Sequence, residues 1–185
     1  MTDTKQPDNE RSERSERRRV IQWEDPLPGL IAGQKMTGLE FLQAITRGEL
    51  PAPPIAELMG FSFSEIEPGR VVCVCEPAEV HYNPMGVAHG GLAATLCDTA
   101  LACAILTMLP IGVRHTTLEL KVNYIRPLTQ QTGLVRCIGQ VVHVGRQMGT
   151  AEAKLVDGND KLYAHASTTC MIFQPAEIAR EVIFG

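Results

Sequence analysis

The chain has 185 residues, of which 44% are hydrophobic and 21% charged, with a formal net charge of −4. At roughly 150 residues per domain this length favours one decorated domain over two, and the composition excludes a collagen-like or wholly disordered chain. Seventeen Lys and Arg against 21 Asp and Glu leave no basic footprint, so no nucleic-acid partner is expected. Six cysteines, Cys73, Cys75, Cys97, Cys103, Cys137 and Cys170, lie in apolar stretches without a CxxC pair or a cysteine–histidine spacing. Buried reduced thiols are expected, and no metal site.

Residues 1–20 carry six basic and five acidic side chains and almost nothing to bury, which predicts a disordered tail. No apolar signal core precedes Val20, and a cytoplasmic location is expected. An N-terminal extension follows over 21–58, where Leu39, Leu42 and Ile45 recur at helical spacing and predict one short helix between Gly38 and Leu50. The main domain is expected over 59–175, with a C-terminal tail at 176–185. Phe61 to Ile66 and Arg70 to Glu76 are β-prone runs around Glu67-Pro68-Gly69, a hairpin signal.

After the turn-rich segment HYNPMGVAHGG, fourteen of the eighteen residues from Leu92 to Leu109 are apolar, which predicts a helix buried on nearly every side. A membrane span is disfavoured, because Asp98 near its centre would cost about 2.5–3.5 kcal/mol there. Leu118, Leu120, Val122 and Tyr124 alternate with polar residues as in a half-buried strand. Three further strands are predicted over Gly133–Val144, Gln147–Val156 and Lys161–Phe173, joined by turns short enough for hairpins. The expected architecture is a hairpin, one buried helix and a meander.

Several residues suit chemistry as well as structure. Gly90 and Gly91 open the helix without side chains, so a ligand can approach backbone N–H groups at its positive end, although paired glycines also permit a tight turn. Asn83 before Pro84 is a common turn former whose amide can also donate. His89 suits a cap. Asp98 places a carboxylate among apolar neighbours, a candidate for acid/base work or for a buried structural hydrogen bond.

The pattern N-x-x-G-x-x-H-G-G from Asn83 to Gly91, with Asp98 eight residues beyond Gly90, resembles the hotdog-fold acyl-CoA thioesterases of the phenylacetate-degradation type. The resemblance runs from about Phe61 to Phe173 and takes in Asn123-Tyr124-Ile125-Arg126-Pro127 and Tyr163-Ala164-His165-Ala166. It implies an α+β hotdog fold, an antiparallel sheet of five to six strands wrapped around one long helix, and hydrolysis of an acyl-CoA thioester. The Gly90 N–H and Asn83 are then expected to polarise the carbonyl. Asp98 takes the part of general base or nucleophile, and Thr117 or Thr116 orients water. Substrate contacts are expected from His89, Gly91, Arg126 and Arg146, with Lys121 a further candidate for the phosphates. Acyl-CoA is the substrate, and no cofactor is expected.

Eight residues of helix span about 12 Å, too far for one carbonyl to touch both Gly90 and Asp98. Two antiparallel copies would bring them together, so a homodimer at least, or a tetramer built as a dimer of dimers, is expected. The alternatives are a hotdog module that binds acyl-CoA without turnover, and a hotdog hydratase or dehydratase, to which the His89–Asp98 spacing is less suited.

Overall fold

The structure, a computed structural model, describes residues 16–174. Residues 1–15 of the expected N-terminal tail and the whole expected tail at 176–185 lie outside the described residues. The remainder of the first tail rests on the domain: Arg17 donates to the Glu79 carboxylate at 3.1 Å and Arg19 to the Glu57 carbonyl at 3.1 Å.

Three short helices precede the first strand, where the sequence pattern indicates one. They are α1 (Leu27–Gly33), α2 (Gly38–Thr46) and α3 (Pro54–Met59). α2 is the expected helix and opens with a reciprocal cap, in which Thr37 Oγ1 accepts from Glu40 N–H and Glu40 accepts from Thr37 N–H. α1 inverts the usual amphipathic rule. Its glycines, Gly29 and Gly33, face inward while Leu27, Leu30 and Ile31 are 52–56% exposed. That inversion removes the inward-facing periodicity from which a helix is read.

The hairpin forms as β1 (Phe61–Glu67) and β2 (Arg70–Cys75), followed by the long helix α4 (Gly90–Leu106). Then come β3 (Arg114–Tyr124), β4 (Val135–Val144), β5 (Met148–Val156) and β6 (Leu162–Phe173). The six strands form one antiparallel sheet in the order β1-β2-β4-β5-β6-β3. A simple meander therefore holds only for β4–β6. β3 does not lie beside β4 but pairs with β6 at the far edge, and the hairpin joins through β2 to β4.

The sheet wraps α4, whose Leu92, Leu96, Cys97, Ala100, Leu101, Ala104 and Ile105 are buried against it. Contact is close because β4 carries a glycine at the crossing: a Cβ on Gly139 would stand 2.4 Å from the Ala100 carbonyl oxygen. A six-stranded antiparallel sheet around one long helix is the hotdog architecture. Among the described residues no helix is long and apolar enough to cross a membrane.

β3 carries one irregularity with consequences for the site. Its register against β6 shifts between Thr117 and Glu119, so Leu118 is an extra, outward residue, 57% exposed. The expected inward row therefore breaks. Leu120 and Val122 pack on the core, whereas Leu118 does not.

Candidate active site

The segment before α4 is folded onto itself and onto the body. Asn83 N–H donates to the Val87 carbonyl at 2.8 Å, and the Gly86 N–H donates to the Asn83 carbonyl at 3.1 Å. The Asn83 side-chain oxygen is already engaged, accepting from Met85 N–H at 2.9 Å. This fixes the amide, because the same group cannot present its oxygen elsewhere, and it leaves the NH2 as the outward donor. Ala88 N–H and His89 N–H bind the Leu128 and His81 carbonyls, so the loop is held on both sides.

Three consecutive amides at the start of α4 have different fates. The Gly91 N–H donates to His89 Nδ1 at 2.9 Å, and the Leu92 N–H to the His89 carbonyl at 3.0 Å. Among the described residues nothing accepts from the Gly90 N–H. His89 is the N-cap, its imidazole in the place a Ser or Asp side chain often takes. Gly90, Asn83 and His89 line one cavity of about 410 Å³, together with Tyr124 and Arg126. Tyr124 had no assigned part in the sequence pattern. Its ring stands so near that a Cβ on Gly90 would meet it at 3.2–3.3 Å, which explains why glycine suits this position.

Asp98 sits two turns further along α4, half-buried rather than enclosed. Thr117 Oγ1 donates to its Oδ1 at 2.9 Å and also lies 3.9 Å from Cys170 Sγ. Thr116 faces the opposite side of the sheet and is exposed. His115, two residues before Thr117, is pushed below the usual imidazole range by burial; the neighbouring Ala102 backbone and Asp98 oppose that shift, and Arg114 adds to it. Burial, with Asp98 adding, pushes the Cys103 thiol up to about 12.

The two expected arginines are not in one place. Arg126 lines the Gly90 cavity and donates to the Leu162 carbonyl. Arg146 lies in the β4–β5 turn and lines a separate groove beside Leu118 and Met171. Lys121 lies on the outer face of the sheet. All six cysteines are free thiols, and Cys103 alone is half-buried rather than buried. Among the described residues no group of three or more His, Cys, Asp or Glu is placed to hold a metal ion.

The fold and these residues define a hotdog protein whose long helix opens on an uncommitted N–H and carries a carboxylate held by a threonine. The family model described as "Thioesterase superfamily" matches residues 85–164, and the chain belongs to that superfamily of thioester hydrolases. Among its relatives, the 1,4-dihydroxy-2-naphthoyl-CoA hydrolase of Listeria monocytogenes is 25% identical over 118 residues, 64% of this chain and 94% of the relative. The conserved protein PA5202 of Pseudomonas aeruginosa is 31% identical, with a TM-score of 0.62 over 66% of this chain and 95% of its own. A phenylacetic acid degradation-related protein of Ralstonia eutropha is 26% identical, with a TM-score of 0.64 over 70% of this chain and 98% of its own.

Proposed function

We propose that the protein hydrolyses acyl-CoA thioesters at a site shared by two subunits. One subunit supplies the Gly90 N–H and the Asn83 amide to the carbonyl oxygen, and its partner supplies Asp98 with Thr117. Water adds to the carbonyl carbon with its proton taken by Asp98, the tetrahedral oxyanion rests on the two donors, and the carbon–sulfur bond breaks as the thiolate leaves and is protonated. Each donor at such an oxyanion is worth about 2.7–4 kcal/mol. Direct attack by Asp98 to give an anhydride, then hydrolysed, would use the same residues.

The observation that carries this reading is the separation of functions along α4. An uncommitted N–H lies at Gly90, and a carboxylate with its own hydrogen-bond donor lies at Asp98, about 12 Å on. A second copy is the natural source of the missing half. Among the described residues β3 is an edge strand of 11 residues, paired on one side only. Beside it α4 leaves a half-buried stripe through Ala94, Asp98, Ala102 and Cys103. The 410 Å³ cavity with Arg126 at its wall suits the pantetheine arm entering beside Gly90. Six unpaired thiols fit the reducing conditions of the cytoplasm, where we place the protein.

The test is release of free CoA thiol from a panel of acyl-CoA thioesters, with Asp98→Asn as the control. Turnover that falls at least about 100-fold in the variant, with an unchanged melting temperature, supports the proposal. Binding of acyl-CoA without any thiol release would replace it with the binding-module reading.

A further inference from the structure

A second cavity of about 160 Å³ lies between the N-terminal helices and the body. Leu30, Met36 and Phe41 form one wall, and Leu106, Arg114 and His115 the other. None of the first three lies within residues 85–164, so this wall is an addition to the part of the chain that matches the family. It is nevertheless built in. A Cβ on Gly38 would stand 1.9 Å from the Leu106 carbonyl oxygen and one on Gly33 2.7 Å from the Phe41 ring, and the Gly38 N–H donates to the Leu109 carbonyl at 3.1 Å. These contacts dock α2 on the end of α4 without slack.

The cavity lies beyond Asp98 along the line that α4 and β3 share. β3 runs antiparallel to α4: its Tyr124 lies by Gly90, its Thr117 bonds Asp98, and its His115 lies near the Ala102 backbone, one turn beyond. His115 therefore stands at the junction, inside the field of Asp98 and on the cavity wall. From Asp98 to Leu106 is about 12 Å along the helix. In the shared site proposed above, the thiol arm occupies the Gly90 cavity of one subunit, and the acyl group must leave the carbonyl in the other direction. That direction runs past Asp98 toward His115 and Leu106.

Resting on that reading, we infer that the far end of the acyl group lodges in the cavity between α1–α2 and the end of α4, and that the N-terminal helices thereby set acyl-chain length. The walls are mainly apolar, with Arg114 and His115 also lining the cavity, and the volume holds roughly five methylene-sized groups if each takes about the 30 Å³ of a water in the liquid. The substrate class is an acyl-CoA with a medium-length apolar tail, long enough to pass His115, about 6 Å along the helix from Asp98, and to extend toward Leu106, about 12 Å along it. Shorter acyl groups react without using the cavity.

The test compares butanoyl-, octanoyl- and dodecanoyl-CoA as substrates, and the matching non-hydrolysable thioethers as ligands, in wild type, Met36→Trp and Phe41→Ala. Each methylene entering the cavity should raise kcat/KM, and thioether affinity, about fourfold. Met36→Trp fills the cavity and should lower the octanoyl value about tenfold or more while leaving butanoyl within about twofold. Phe41→Ala enlarges it and should raise the dodecanoyl-to-octanoyl ratio. The inference is overturned if both variants keep the wild-type chain-length profile, or if each lowers all three substrates equally. If no thioester is cleaved but thioether affinity still follows chain length and loses that dependence in Met36→Trp, the cavity assignment stands and the hydrolase proposal falls.

Discussion

Asn83→Ala and Asp98→Asn should each cripple the enzyme alone and recover part of its activity when the two variants are co-expressed. Asn83 and Gly90 lie at one end of α4, and Asp98 lies about 12 Å further along it, so one subunit does not bring both to one carbonyl. Loss of a polarising donor costs about 10²–10³ in kcat, and loss of a positioned base at least about 10². Each homodimer should therefore retain no more than about a hundredth of wild-type turnover. If the two variants are co-expressed and assemble at random, about half of the dimers are mixed, and each mixed dimer holds one intact site. About a quarter of all sites should then be active, a rise of at least about 25-fold over either parent. The assay is CoA thiol release per total chain, with native mass spectrometry to count the mixed dimers. If the mixed dimers are present but as inactive as either parent, Asn83 and Asp98 do not serve one shared site.

Thr117→Val removes the hydroxyl that donates to Asp98 at 2.9 Å; a hydrogen bond to a charged group is worth about 1.5–3 kcal/mol, so kcat should fall roughly 10–150-fold. Thr116→Val, on the exposed outer face, should leave kcat unchanged, and equal losses in both variants would contradict the assignment. Burial holds His115 below its ordinary value, so between that lowered value and about 6.5 the unfolded chain binds a proton that the folded chain does not. Stability should therefore fall as pH drops through this window and level off below it, and His115→Gln should flatten the slope of melting temperature against pH; an unchanged slope would refute the contribution. Burial pushes the Cys75 thiol up to about 11 and the Cys103 thiol up to about 12, so thiol reagents should label folded protein slowly; rapid stoichiometric inactivation would contradict that.

The elements of the main domain were legible because their signals are local. Period-two alternation marked the strands, the apolar run from Leu92 marked α4, and Pro68-Gly69 and Gly158-Asn159 marked turns. The motif from Asn83 to Gly91 marks a helix N-terminus and its glycines, and the eight-residue step to Asp98 is itself the source of the two-subunit expectation. What local patterns do not encode is how distant segments meet. β3 pairs with β6 rather than β4 because the sheet closes around α4. α1 gave no helical signal because its buried face is two glycines, chosen for close approach rather than for apolar area. Thr117 reaches Asp98 while Thr116 faces away, since adjacent strand residues alternate sides. Gly90 and Gly91 are identical letters, and only the ring of His89, folded back on the Gly91 N–H, leaves Gly90 as the free donor. The cavity at Met36 and Phe41 exists only because α2 docks on the end of α4, a contact between residues some seventy positions apart in the chain.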